Sequence, residues 1–106
     1  MLASGVIEPA LPLLYSQHLA RDRRRSVHTV RAYEATAVRL IQFLQSHWGG
    51  EVTRAALGRI AATDLRAYLA HRRNDGLSNA SAARELSAVR GFLKFAVGDA
   101  DRKSVV

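Results

Sequence analysis

Residues 26–50, SVHTVRAYEATAVRLIQFLQSHWGG, decide how this chain folds. Within them Val30, Tyr33, Ala37, Leu40, Ile41, Leu44 and Trp48 recur at i, i+3, i+4 spacing, the period of a helix that buries one face. Ser26 stands where an N-cap hydroxyl accepts from the backbone N–H of Thr29, and Gly49-Gly50 is a stop signal. A helix over about 27–47 is predicted. Its apolar stripe needs partners, because an amphipathic rod draws most of its stability from packing.

The flanking sequence supplies those partners. On the N-terminal side Leu11, Tyr15 and Leu19 are spaced by four and predict a helix over about 11–21, with Pro12 tolerated in the opening turn. On the C-terminal side an irregular stretch from Glu51 to Ile60 precedes a third helix over about 62–75, which buries Leu65, Tyr68 and Leu69. Gly76 then stands at the left-handed position after a helix end, where Leu77 can fold back. Ser78 caps a fourth helix over about 79–97, with Ala82, Leu86, Val89, Leu93 and Ala96 as its stripe and Gly98 as its stop. No alternating strand pattern occurs. The expectation is an all-α fold: a compact four-helix bundle formed by residues 1–97, followed by a polar segment, 98–106, that reads as the start of an interdomain linker.

Composition narrows the function. The chain has 106 residues, enough for one core, and 16 Lys+Arg against 9 Asp+Glu give a net charge of +7 that favours polyanionic partners. Hydrophobic residues make up 48% of it, too many for a basic disordered tail. With no cysteine, a disulfide framework, a thiol nucleophile and a thiolate zinc site are all excluded. Neither a membrane-spanning apolar run nor a secretory signal pattern is found, so a cytoplasmic protein with no membrane partner is expected.

Catalytic patterns are missing as well. His18, His28, His47 and His71 are scattered, with no HExxH, no convergent carboxylates and no GxGxxG or Walker A segment. No catalytic residue, metal, cofactor or small-molecule ligand is therefore expected. Tyr33 and Tyr68 lie on apolar stripes and read as core residues.

Charge has a definite position. Projected at 100° per residue, the second helix groups His28, Arg31, Ala35, Arg39 and Gln42 away from its apolar stripe. The fourth groups Ala80, Arg84, Ser87, Gly91 and Lys94 opposite its core, with Arg90 at the edge. Small residues between the cations let a bulky ligand approach the backbone. Ser26, Thr29 and Ser78 sit at helix N-termini, where hydroxyls and backbone N–H groups serve both as caps and as phosphate contacts. The run Arg21, Arg23, Arg24 and Arg25, broken only by Asp22, adds an electrostatic footprint just before the second helix.

The pattern Ser26-Val-His-Thr29-Val-Arg-Ala-Tyr33, then Leu40-Ile-Gln-Phe43-Leu44, resembles the N-terminal core-binding, SAM-like domain of tyrosine recombinases and phage integrases. Asp64-Leu-Arg-Ala-Tyr-Leu69, Gly76-Leu-Ser78 and Arg84-Glu-Leu-Ser87-Ala-Val-Arg90-Gly-Phe-Leu-Lys-Phe95 resemble the Xer branch of that family in order and spacing. The resemblance implies a SAM-like orthogonal bundle forming half of a C-shaped clamp on double-stranded DNA, with the second and fourth helices toward the major groove. It puts Ser26, His28, Thr29 and Arg31, and Ala80, Ser81, Arg84, Ser87 and Arg90, on the stretches that approach DNA. Arg39 and Lys94 join them from the projection alone. Further implied are homologous recombinase protomers, four on the DNA, and a role in chromosome dimer resolution. The catalytic Tyr, Arg, Lys and His residues of the family belong to a C-terminal domain, so this chain, ending in the linker, is expected not to cleave DNA by itself.

Three other readings stand beside this one: an integrase of a mobile element, a helical protein-interaction domain with an acidic partner, and a helix-turn-helix regulator. The last is disfavoured because Gly76-Leu-Ser78 joins a short helix to a very long one. Two local expectations also follow. Arg25 offers no apolar staple to Val30, leaving the start of the second helix less fixed, and Ala61-Ala62 gives the third helix a ragged beginning. Phe95 falls off the fourth-helix stripe and is either covered by the first helix or the tail, or left for a docking partner.

Overall fold

The computed structural model describes residues 11–22 and 24–98. Residues 1–10, Arg23 and the expected linker residues 99–106 lie outside the described residues. Helices occupy Leu11–Ala20 (α1), Val27–Trp48 (α2), Arg54–Leu57 (α3), Ala62–Asn74 (α4) and Asn79–Val97 (α5), and no strand occurs among the described residues. The all-α expectation holds. Its count of four helices is corrected by α3, a single turn inside the stretch read as irregular.

Four residues cannot display a helical period, which is why α3 was illegible. Its cap is ordinary: the Thr53 hydroxyl accepts from the Ala56 N–H at 3.0 Å. The turn brings Val52, Leu57 and Ile60, all nearly inaccessible to solvent, into the core.

Ser26 and Ser78 cap α2 and α5 as expected, accepting from the backbone N–H groups of Thr29 and Ser81 at 3.0 and 3.2 Å. The start of α4 is not ragged. Asp64 Oδ2 accepts from the Ala61 N–H at 2.9 Å, so the third residue of the helix does what Ala61 cannot. Asp64 Oδ1 also lies 3.3 Å from Trp48 Nε1 and 3.2 Å from His47 Nε2, which ties the end of α2 to the beginning of α4. At the other end of α4, Gly76 has φ +98°; its N–H donates to Arg73 O at 2.9 Å and the Leu77 N–H donates to Arg72 O at 3.2 Å. That pair of bonds is a Schellman motif and requires the left-handed residue that glycine supplies.

The expected stripes of α1 and α2 are buried: Leu11, Tyr15, Leu19, Ala37, Leu40, Ile41 and Leu44, with Val30, Tyr33 and Trp48 packed against them. Around α5 the buried arc is wider than one stripe and turned toward Glu85, Ala88 and Phe92, leaving Leu86 only half-buried. The cause is position, since α5 packs against all four other helices. A helix flanked on several sides buries more of its circumference than one facing a single neighbour. Phe95 is covered by α1, its ring 5.3 Å from Tyr15 and 5.0 Å from His18.

Candidate nucleic-acid interface

On α2 the projected face is open. Ser26, His28, Arg31, Ala35 and Gln42 are exposed, Thr29 half-exposed, and Arg31 forms no ion pair among the described residues. The Ser26 hydroxyl donates to Thr29 Oγ1 at 2.9 Å while accepting from the Thr29 N–H, so both hydroxyls are engaged in the cap. On α5, Ala80, Arg84, Ser87, Arg90 and Lys94 are exposed and Ser81 is half-exposed. An Arg84 guanidinium nitrogen donates to Ser81 Oγ at 3.1 Å, holding that side chain along its own helix.

Arg39 differs from the free cation that the projection expects. Its side chain, 37% exposed, donates to Glu85 Oε1 at 3.2 Å and to Thr36 Oγ1 at 3.1 Å. Glu85 is the acceptor at the centre of a knot. The Arg72 Nε donates to it at 2.8 Å from α4, and the buried Tyr68 hydroxyl donates to the same oxygen. Three helices therefore meet on one carboxylate.

The electrostatics follow from that geometry. Burial pushes the Glu85 pKa up, but donation from Tyr68, Arg72 and Arg39 outweighs it and leaves the carboxyl below its ordinary range. Tyr68 is raised by burial first and by the adjacent carboxylate second, so its phenol stays protonated. Burial would lower Arg39, yet the bond and charge of Glu85 reverse this and raise it. One carboxylate faces two guanidiniums, and the knot retains a net positive charge. Sequence reasoning missed Glu85. The available signal was an acidic residue three after the stripe residue Ala82 and four before Val89, opposite a Tyr68/Arg72 pair spaced by one helical turn.

Contacts across the α2–α5 seam set the direction of the two helices. Tyr33 and Gly91 line one groove, while farther along α2 Arg39 meets Glu85, so α5 runs back as α2 advances. Basic groups recur along this seam: Arg25 and Lys94 line the groove, and Arg39 reaches across from α2 to Glu85.

Within the arginine run, Asp22 is the organising residue. It lies 3.1 Å from Arg24 Nε and 3.7 Å from Arg25 Nε, and bonding from Arg24 holds its carboxyl below the usual range. Arg25 also sits 5.5 Å from the centroid of the Tyr33 ring. This cation–π contact, worth about 0.5–1 kcal/mol at an exposed site, braces the start of α2 where an apolar staple was missing. Among the described residues no group of His, Cys, Asp or Glu side chains could hold a metal ion. His47 and His71 instead pack on Phe43, with ring centroids 5.0 and 5.3 Å away. No described helix is long and apolar enough to cross a membrane.

Known proteins resemble this chain over most of its length. The family model for the phage integrase N-terminal SAM-like domain matches residues 14–99. Tyrosine recombinase XerC of Bradyrhizobium diazoefficiens is 38% identical over 78 residues, 74% of this chain and 24% of that protein. The XerC of Mesorhizobium japonicum is 39% identical over 77 residues, 73% of this chain and 25% of its own, and that of Pseudomonas savastanoi pv. phaseolicola 33% over 81 residues, 76% and 25%. The chain thus spans about a quarter of the length of these relatives. No solved structure matches it. With its helices, caps and family match in agreement, the chain belongs to the N-terminal SAM-like domain family of phage integrases and is XerC-like within it.

Proposed function

We propose that this chain is the duplex-binding module of a site-specific tyrosine recombinase, and that it clamps DNA at the recombination site during chromosome dimer resolution. The observation that carries this reading is the α2–α5 seam, where two helices running in opposite senses carry exposed Arg31, Arg84, Arg90 and Lys94 on flanks set off from the core. Phosphate contacts from these cations would fix the register of the domain, and Arg at a groove edge would read guanine. Ser26, Thr29, Ala80, Ser81 and Ser87 are the small or hydroxyl-bearing positions that let the backbone come close, His28 offers a ring nitrogen as donor, and Arg39 contributes the outward part of its charge.

Strand cleavage in this reading belongs to a separate catalytic domain. There a tyrosine would form a covalent 3′-phosphotyrosyl link that conserves the phosphodiester bond for rejoining, without metal or cofactor. Homologous protomers on the same DNA complete the assembly, in the cytoplasm where the chromosome lies. The family model's description as a phage integrase domain favours a second reading, integration of a mobile element, which differs in target site and not in how this module holds a duplex.

The test is titration of labelled duplex at several salt concentrations. Weak binding with a steep negative salt slope is expected, because each neutralised phosphate adds about 0.9 to the slope. Absence of binding at about 50 mM salt overturns the reading, and footprinting on chromosomal against element-derived sites separates its two variants.

A further inference from the structure

Tyr15 is only 2% exposed, and its ring packs on Phe92 and Phe95 at 5.3 Å each. Its hydroxyl has no hydrogen-bond partner among the described residues. A buried phenol normally finds one, because an unmet donor loses its water without replacement. The hydroxyl reaches the backbone of α5 at Gly91, where a Cβ would lie 2.9 Å from it. Glycine is a poor helix former in the middle of a long helix, yet here its bare surface leaves the hydroxyl room at the floor of a groove.

That groove, about 660 Å³, runs between α1, the start of α2 and α5. Around Tyr15 and Gly91 its wall includes His18, Arg25, Tyr33, Ser87 and Lys94, and none of the described residues that line it carries a carboxylate. Among these described residues the polar side chains are cations, hydroxyls and the His18 imidazole, none of them an acceptor-only group. Burial raises the Tyr15 pKa, nearby Tyr33 adds to this and Arg25 opposes it, so the phenol remains a protonated donor beside a cation. A donor-rich, positively charged recess suits an anionic oxygen. Its continuity with Ser87 and Lys94 on the α5 flank favours the phosphate of a nucleic acid strand already lying there.

We propose that this groove is a phosphate-binding site, in which one phosphodiester of duplex DNA accepts a hydrogen bond from the Tyr15 hydroxyl and faces the Arg25 guanidinium. The proposal rests on the DNA-binding reading above and adds Tyr15, Arg25 and Gly91 to its contacts.

Tyr15→Phe tests it, since it removes only the unmet hydroxyl. The variant is expected to bind labelled duplex about fivefold to tenfold more weakly while its thermal midpoint stays level or rises. A merely structural hydroxyl would move the midpoint down and leave affinity alone. Arg25→Gln is expected to weaken binding and to reduce the salt slope by about 0.9. In amide spectra, Gly91 and Ser87 should shift on adding duplex at concentrations where inorganic phosphate has no effect. If Tyr15→Phe binds duplex like the parent chain while Arg31→Ala is weakened, the groove is not a phosphate site and the DNA-binding reading stands. Shifts with inorganic phosphate and none with duplex identify a free-anion site and overturn the proposal. A parent chain that binds no duplex overturns both.

Discussion

The Tyr68 hydroxyl on α4 donates to the Glu85 carboxylate on α5, and Glu85 is the one charged side chain among the buried described residues. Arg39 of α2 and Arg72 of α4 close on the same carboxylate, so the relative placement of three helices is coded in one acidic side chain. Side-chain exposure at the knot falls from 37% at Arg39 to 18% at Arg72 and 6% at Glu85, which means that the charge is shielded on one side and reaches solvent on the other.

Removing that acceptor should be costly. Glu85→Ala leaves two guanidiniums and a phenol without their partner, and breaking a buried pair from one side typically costs about 3–5 kcal/mol. Urea denaturation should report a loss toward the lower end of that range, because Arg39 can turn to water. A loss below about 0.5 kcal/mol, the range of an ordinary surface substitution, would refute the stabilising role of the knot.

Acid should reproduce part of the same loss. The folded-state pKa of Glu85 lies below its ordinary value of 4.5. Its charge therefore stabilises the fold above about that pH, and the contribution disappears as pH falls through the lower folded value. Tyr68 acts in the opposite sense: its pKa is raised, so stability is intact below the ordinary value of 10.0 and declines as pH rises through the higher folded value. Unfolding free energies measured from pH 2.5 to 7, for the parent chain and for Glu85→Gln, should differ in slope on the acid side. Parallel curves would contradict the assignment.

Arg31 and Arg84 test the two flanks. Both are exposed, and neither supports the core. Arg31→Ala and Arg84→Ala should each weaken duplex binding and reduce its salt slope by about 0.9 per lost phosphate contact, with helical content unchanged by circular dichroism. Unaltered affinity in both variants would remove these faces from the interface.

Gly91 and Tyr15 should be coupled. In the parent chain Gly91→Ala sets a methyl group 2.9 Å from the Tyr15 hydroxyl, and the strain cancels the gain of about 1 kcal/mol that alanine brings to a helix interior. In a Tyr15→Phe background the obstacle is gone and the same substitution should stabilise the chain. A double-mutant cycle with no coupling energy would show that the hydroxyl does not press on α5.

The α4 start offers a fourth check on local structure. Asp64→Ala removes the acceptor of the Ala61 N–H and frees Trp48 Nε1 and His47, so a loss of about 1–2 kcal/mol is expected. Restoring a hydroxyl with Ala61→Ser should recover part of it. Thermal unfolding of the single and double variants decides the matter.

The sequence by itself determined the long helices, their caps and the flanks that carry charge. Period, N-cap serines and stop glycines are local properties: Ser26, Ser78 and Gly76 act on backbone groups a few residues away, and Val30 to Trp48 align through helix geometry alone. Tertiary structure decided what locality could not express. The single turn α3 is too short for any period, the width of the buried arc on α5 depends on four neighbours, and Glu85 is meaningful only beside Tyr68, Arg72 and Arg39. The groove at Tyr15 likewise needs α1, α2 and α5 together. The physical reason is distance along the chain: a bond between residues 13 to 46 positions apart leaves no periodic trace, because each partner's pattern is complete without the other.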